Sequence, residues 1–116
     1  MTNVNYIKGR AFENYVANYL RRNGFYVIRA AGSHGVYDLV AIRNGIAYGI
    51  QCKTNGRLSR KELIRILETS ERYGIIPFLA FRNNKRVKIA NLITSECMTL
   101  KQFVESVKSE QLCTTC

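Results

Sequence analysis

The chain has 116 residues, of which 47% are hydrophobic and 22% charged, and a net charge of +10 with a pI near 9.8. That length fits one domain, 1–116, with a modest core. No run of 18 apolar residues exists, which excludes a membrane-spanning helix, and the polar start shows no secretory pattern, so a cytoplasmic protein is expected.

Residues 5–23 predict a first helix, with Phe12, Val16, Tyr19 and Leu20 as its core stripe and Gly24 as its stop. Glu13 lies beside that stripe, with the small Ala17 one turn on, which puts it at the edge of the buried face. Residues 25–30 (FYVIRA) predict a short strand. The loop AGSHG follows, where Ser33 and His34 read first as ordinary loop polarity.

The stretch YDLVAIR (37–43) predicts a strand opened by Asp38. Asn44-Gly45 is a hairpin signal, because both positions tolerate positive φ. The partner strand IAYGIQCK (46–53) ends on Gln51 and Lys53, which leave the same face because side chains alternate. A turn centred on Asn44-Gly45 pairs residues whose numbers sum to about 89. Asp38 then comes opposite Gln51.

After the loop TNGR, Ser59 and Glu62 form a capping box and Leu58 with Leu63 a hydrophobic staple. They start a helix over 59–73 whose buried stripe is Leu63, Ile66 and Leu67, ended by Gly74 and Pro77. IPFLAF (76–81) predicts a buried strand, RNNKRVK (82–88) a basic turn, and VKIANL (87–92) another strand. Residues 99–107 predict a last helix with Leu100, Phe103, Val104 and Val107 on one face; the tail from Ser109 is expected to be loose. The strands VIRA, DLVAI and IPFLAF read as the middle of the sheet. The fold class is α/β: a mixed sheet of about five strands flanked by helices.

Of the four cysteines, Cys52 alternates into the sheet as a small hydrophobe, and Cys97 stands alone. Cys113 and Cys116 form a lone C-x-x-C, which with a single histidine is weak evidence for zinc and leaves a disulfide open.

Residues 1–61 carry ten Lys or Arg but only two acids, Glu13 and Asp38. Acids in so basic a half oppose binding of a polyanion unless they hold a cation. The basic excess suits nucleic acid better than an anionic membrane surface. Hydrolysis of a phosphodiester needs a divalent ion, and hard ions such as Mg²⁺ take oxygen ligands. Glu13, Asp38, the Gln51 amide oxygen and the Cys52 backbone carbonyl can supply them, with Lys53 to orient the water or stabilise the phosphate. Arg57, Arg60, Lys61 and Arg65 cluster just beyond Lys53, where they can cradle phosphates or form a solvated helix end.

At these residues the sequence resembles the archaeal-type Holliday-junction resolvases of the restriction-endonuclease-like superfamily. The likeness covers about residues 6–82. It rests on Lys8-Gly9 with Glu13 four residues on, then NGF, VIRAAGS, DLVA and the strand ending Gln51-x-Lys53. The resemblance implies a restriction-endonuclease-like fold and a homodimer that nicks four-way DNA junctions in symmetric pairs with Mg²⁺, without a small-molecule cofactor. It further implies metal-site roles for Glu13, Asp38 and the Gln51 position, the catalytic lysine at Lys53, and a loop serine needed for cleavage at Ser33. Lys8 and Arg29 would contact DNA; Arg10, a basic residue just before Glu13, is a further DNA-binding candidate from its position.

Gln51 departs from the family, which usually has glutamate there. One negative charge is lost, so a weaker Mg²⁺ site, better served by Mn²⁺, is expected. A catalytically weakened DNA-binding module and a nuclease for other DNA structures are the alternatives.

Overall fold

The computed structural model describes residues 4–30 and 35–114, and the side chains of 9–30 and 35–110. Its elements run α1 (Val4–Arg22), β1 (Tyr26–Arg29), β2 (Leu39–Arg43), β3 (Ile46–Cys52), α2 (Arg60–Tyr73), β4 (Ile76–Asn83), β5 (Arg86–Asn91), β6 (Cys97–Thr99) and α3 (Leu100–Thr114). They form one mixed sheet in the order β1-β2-β3-β4-β5-β6. Neighbours are antiparallel except β3 and β4, which are parallel and joined by α2, the crossover that a parallel pair requires.

The β2–β3 register follows from its turn. Asn44 and Gly45 adopt φ of 48° and 79°, and Leu39 pairs with Ile50 and Arg43 with Ile46, so partner numbers sum to 89. α2 opens on the expected reciprocal box: the Glu62 N–H donates to Ser59 Oγ at 3.0 Å, and the Ser59 N–H donates to Glu62 Oε1 at 3.1 Å. It closes on Gly74 in the left-handed region.

α1 and α3 cover one face of the sheet. Phe12, Val16 and Leu20 from α1 meet Leu39, Ile50, Phe78 and Ile89 from the strands and Phe103 and Val107 from α3. Rings of Phe25, Tyr48, Phe78 and Phe103 pack edge-on or tilted at the centre. Each large side chain buried here contributes roughly 1.5–3 kcal/mol. α2 covers part of the other face, where the Tyr37 hydroxyl donates to the Ile66 carbonyl and shares a hydrogen bond with Ser70.

The structure corrects several expectations. A sixth strand, β6, pairs with β5 through Ile89↔Met98. Three residues are too few to show alternation, and the hairpin is held by an Asx turn in which Ile93 and Thr94 N–H donate to Asn91 Oδ1. β1 is an edge strand, not a middle one: Tyr26 is 68% and Ile28 46% exposed. Its apolar composition reflects one covered face and one bare one. Leu67 is exposed rather than part of a buried stripe, because α2 buries only Ile66 and Ser70 fully. α3 continues to Thr114 instead of ending at Val107. It starts on a second reciprocal box, the Gln102 N–H to Thr99 Oγ1 and the Thr99 N–H to Gln102 Oε1. Ser33, His34 and Cys116 lie outside the described residues, as do the side chains of Lys8 and Cys113.

Candidate metal and nuclease site

Asp38 precedes β2, and its position is fixed from across the hairpin: the Cys52 N–H donates to Asp38 Oδ2 at 2.8 Å. That bond is the chemical outcome of the 89 register, since it joins the residue before β2 to the end of β3. Gln51 stands beside it, and both line a cleft of about 230 Å³ with Tyr37, Glu62 and Arg65.

Glu13 reaches the same place from α1, with its side chain 24% exposed. Its carboxyl is held above the ordinary range, first by burial and then by the Asp38 carboxylate, against the opposing charge of Arg29. Arg29, at the end of β1, donates to Asn14 Oδ1 at 2.6 Å and to Glu13 Oε2 at 3.3 Å. Sequence reasoning gave Arg29 to DNA; the structure shows it engaged with the Glu13 segment of α1.

Gln51 Oε1 is buried without a hydrogen-bond partner. An acceptor left so is unfavourable by about 1–3 kcal/mol. Among the described residues no three His, Cys, Asp or Glu gather in one place, so the centre is two carboxylates and an amide. The orphaned oxygen and two crowded acids fit a hard divalent cation, which takes oxygen donors and relieves like-charge repulsion.

The Cys52 thiol is pushed far above its ordinary value, first by burial and then by Asp38 and Glu13. Burial and neighbouring acids therefore disfavour its thiolate, the form a nucleophile needs.

Lys53 directly follows β3, two residues after Gln51, and its Nζ is 2.9 Å from Glu62 Oε2. Glu62 was legible in the sequence only as a cap. A signal was available: a helix that starts just after Lys53, with an acid in its first turn, places that acid beside the lysine. Asn14 and Tyr37 were also missed as site neighbours, and nothing in their spacing marks them, whereas Arg65 of the basic cluster does line the cleft. Arg10, Arg57, Arg60 and Lys61 are exposed, the last three about the start of α2.

A family model described as archaeal Holliday junction resolvase (Hjc) matches residues 4–112. The chain belongs to the archaeal Holliday junction resolvase family. The crossover junction endodeoxyribonuclease Hjc of Methanocaldococcus jannaschii is 36% identical over 90 residues, covering 74% of this chain and 67% of the relative. The fold is that of the Archaeoglobus fulgidus Hjc, a Holliday junction resolvase from a hyperthermophile. The two superpose with a TM-score of 0.70 at 19% identity, over 84% of this chain and 96% of the other. The restriction-endonuclease-like architecture expected of this resolvase family is therefore present, with a six-stranded rather than a five-stranded sheet.

Proposed function

We propose that this endodeoxyribonuclease resolves four-way DNA junctions by paired, symmetric nicks, using Mg²⁺ or, better, Mn²⁺, as a homodimer. The observation that carries the metal dependence is the convergence of Glu13, Asp38 and the unpartnered Gln51 Oε1. These residues, with the Cys52 carbonyl, would hold the ion. When bound, it supplies charge neutralisation at the phosphate and acidifies a water.

The chain's own groups do the rest. The Cys52 amide holds the Asp38 carboxylate in place. Arg29 and Asn14 fix the α1 segment that carries Glu13. Lys53, steadied by Glu62, offers a cation to a phosphate oxygen or orients the attacking water. Ser33 keeps the role that the family resemblance gives it. The homodimer is supported by apolar side chains left bare on β1 and α2: Tyr26, Ile28 and Ile64 are each more than 40% exposed.

The test is incubation of the full chain with labelled four-way, flap and linear duplexes in Mg²⁺ and Mn²⁺. Symmetric nicks confined to the four-way junction are expected. Binding without nicks selects the weakened binding module for which Gln51 argues, and cuts in flaps or linear ends select another nuclease. Sedimentation at equilibrium should give a dimer that dissociates in Ile64→Lys.

A further inference from the structure

A second groove lies away from the carboxylates, between α1 and the turn that joins β4 to β5. It is lined by Tyr15 and Tyr19 of α1, by Arg82 of β4, Lys85 of the turn and Arg86 of β5, and by Lys101 of α3, among others. We propose that this groove is a second DNA-contact surface that holds the sugar–phosphate backbone of a duplex arm, away from the bond that is cut. The proposal rests on the nuclease reading above.

Four cations line the groove without a carboxylate among its walls, and none of the four is ion-paired among the described residues. The Arg82 guanidinium lies 5.2 Å from the Phe12 ring centre and 5.9 Å from that of Tyr15. Rings orient it without cancelling its charge, which leaves its donors for an external anion. Lys85 sits in the left-handed region, φ 69°, beside Asn84 at φ 49°. That conformation favours glycine or asparagine, so a lysine is held at the tip of the turn against its backbone preference.

The groove's wall is tied by a backbone hydrogen bond to the segment that follows Lys53. The Arg82 N–H donates to the Thr54 carbonyl at 3.1 Å, one residue beyond Lys53. Phe12, beneath Arg82, precedes Glu13. A polyanion whose phosphate reaches Lys53 therefore has further positive charge along its path. The occupant is a duplex backbone rather than stacked bases, because the rings are already engaged: Tyr15 stacks on Tyr19 and carries Arg82.

The test measures binding of the full chain to a fluorescent four-way junction across a salt series in Ca²⁺, with long and short arms. The variants are Lys85→Glu, Arg86→Glu and Lys101→Glu, all exposed and outside the core. Each is expected to reduce the slope of log affinity against log salt by about one and to weaken binding on the order of tenfold near 0.1 M salt. The loss should appear on long arms and vanish on arms too short to reach the groove. Alanine versions and unchanged melting temperatures separate this from misfolding. Wild-type affinity and slope in all three variants, with the wild type still cutting, would overturn the groove alone. A wild type that neither binds nor cuts any junction overturns the nuclease reading beneath it.

Discussion

Lys53 Nζ and Glu62 Oε2 stand 2.9 Å apart, so the cation at the end of β3 is held by the first turn of the helix that follows it. Glu62 serves two bonds at once, since its other oxygen accepts the Ser59 N–H. Glu62→Gln keeps the cap and removes the charge on Lys53's partner. Both side chains are about a third exposed, and such pairs contribute about 0–1 kcal/mol. Single-turnover cleavage should therefore fall by less than about tenfold, while Lys53→Ala loses cleavage and keeps junction binding. Equal loss in both variants would mean that Glu62 itself acts in the reaction.

The same pair sets a pH dependence. The Glu62 carboxyl is held below its ordinary value of 4.5, first by the hydrogen bond from Lys53 and then by the Ser59 backbone. A depressed folded-state value stabilises the protein above the ordinary value and loses that contribution as pH falls through the folded one. The melting-temperature gap between wild type and Glu62→Gln should be complete at pH 7 and close below pH 4.5. A gap that persists in acid would point to packing instead.

Glu13 runs the other way. Its carboxyl is raised above 4.5 by burial and by Asp38. A raised acid favours the folded state most when protonated, and that advantage is lost as pH rises through the folded value. Glu13→Gln should therefore melt higher than wild type at pH 7 without metal, with the difference shrinking below pH 4.5. Added Mn²⁺ should raise the melting temperature of wild type but not of this variant.

On the proposed reading, Gln51 would link function to stability. Gln51→Met removes the unpartnered buried oxygen and should stabilise the metal-free protein by about 1–3 kcal/mol while abolishing cleavage. Gln51→Glu restores a charge and should lower the Mg²⁺ concentration at half-maximal cleavage by about an order of magnitude. Denaturant midpoints and a metal titration check both. Identical metal midpoints for wild type and Gln51→Glu would remove Gln51 from the ligand set.

Gly49 tests how the back of the site is built. A Cβ there would come within 2.5 Å of the Tyr37 ring. Gly49→Ala should cost about 1–3 kcal/mol by overpacking, and it should also slow cleavage, because Tyr37 adjoins Asp38. A stability loss with normal cleavage would show that Asp38 is held by the Cys52 amide alone.

Local signals carried much of the sequence reading. Asn44-Gly45 fixed a turn, the turn fixed a register, and the register brought Asp38 to Gln51. Ser59 and Glu62 named a helix start because capping is a bond between neighbours in the chain. What escaped depended on distant partners. The bare faces of Ile28 and Leu67 follow from where the sheet ends and how little of it α2 spans. The Arg29–Glu13 pair joins two different elements, β1 and α1, which no period records.

The alternation of side chains along β2 and β3 has a bearing on when the chain becomes able to cut. A slip of one residue at Asn44-Gly45 would send Asp38 to the opposite face from Gln51 and Lys53. In chains mispaired at that turn Asp38 and Gln51 would no longer line one cleft, so the arrangement proposed for cleavage depends on correct closure of this hairpin.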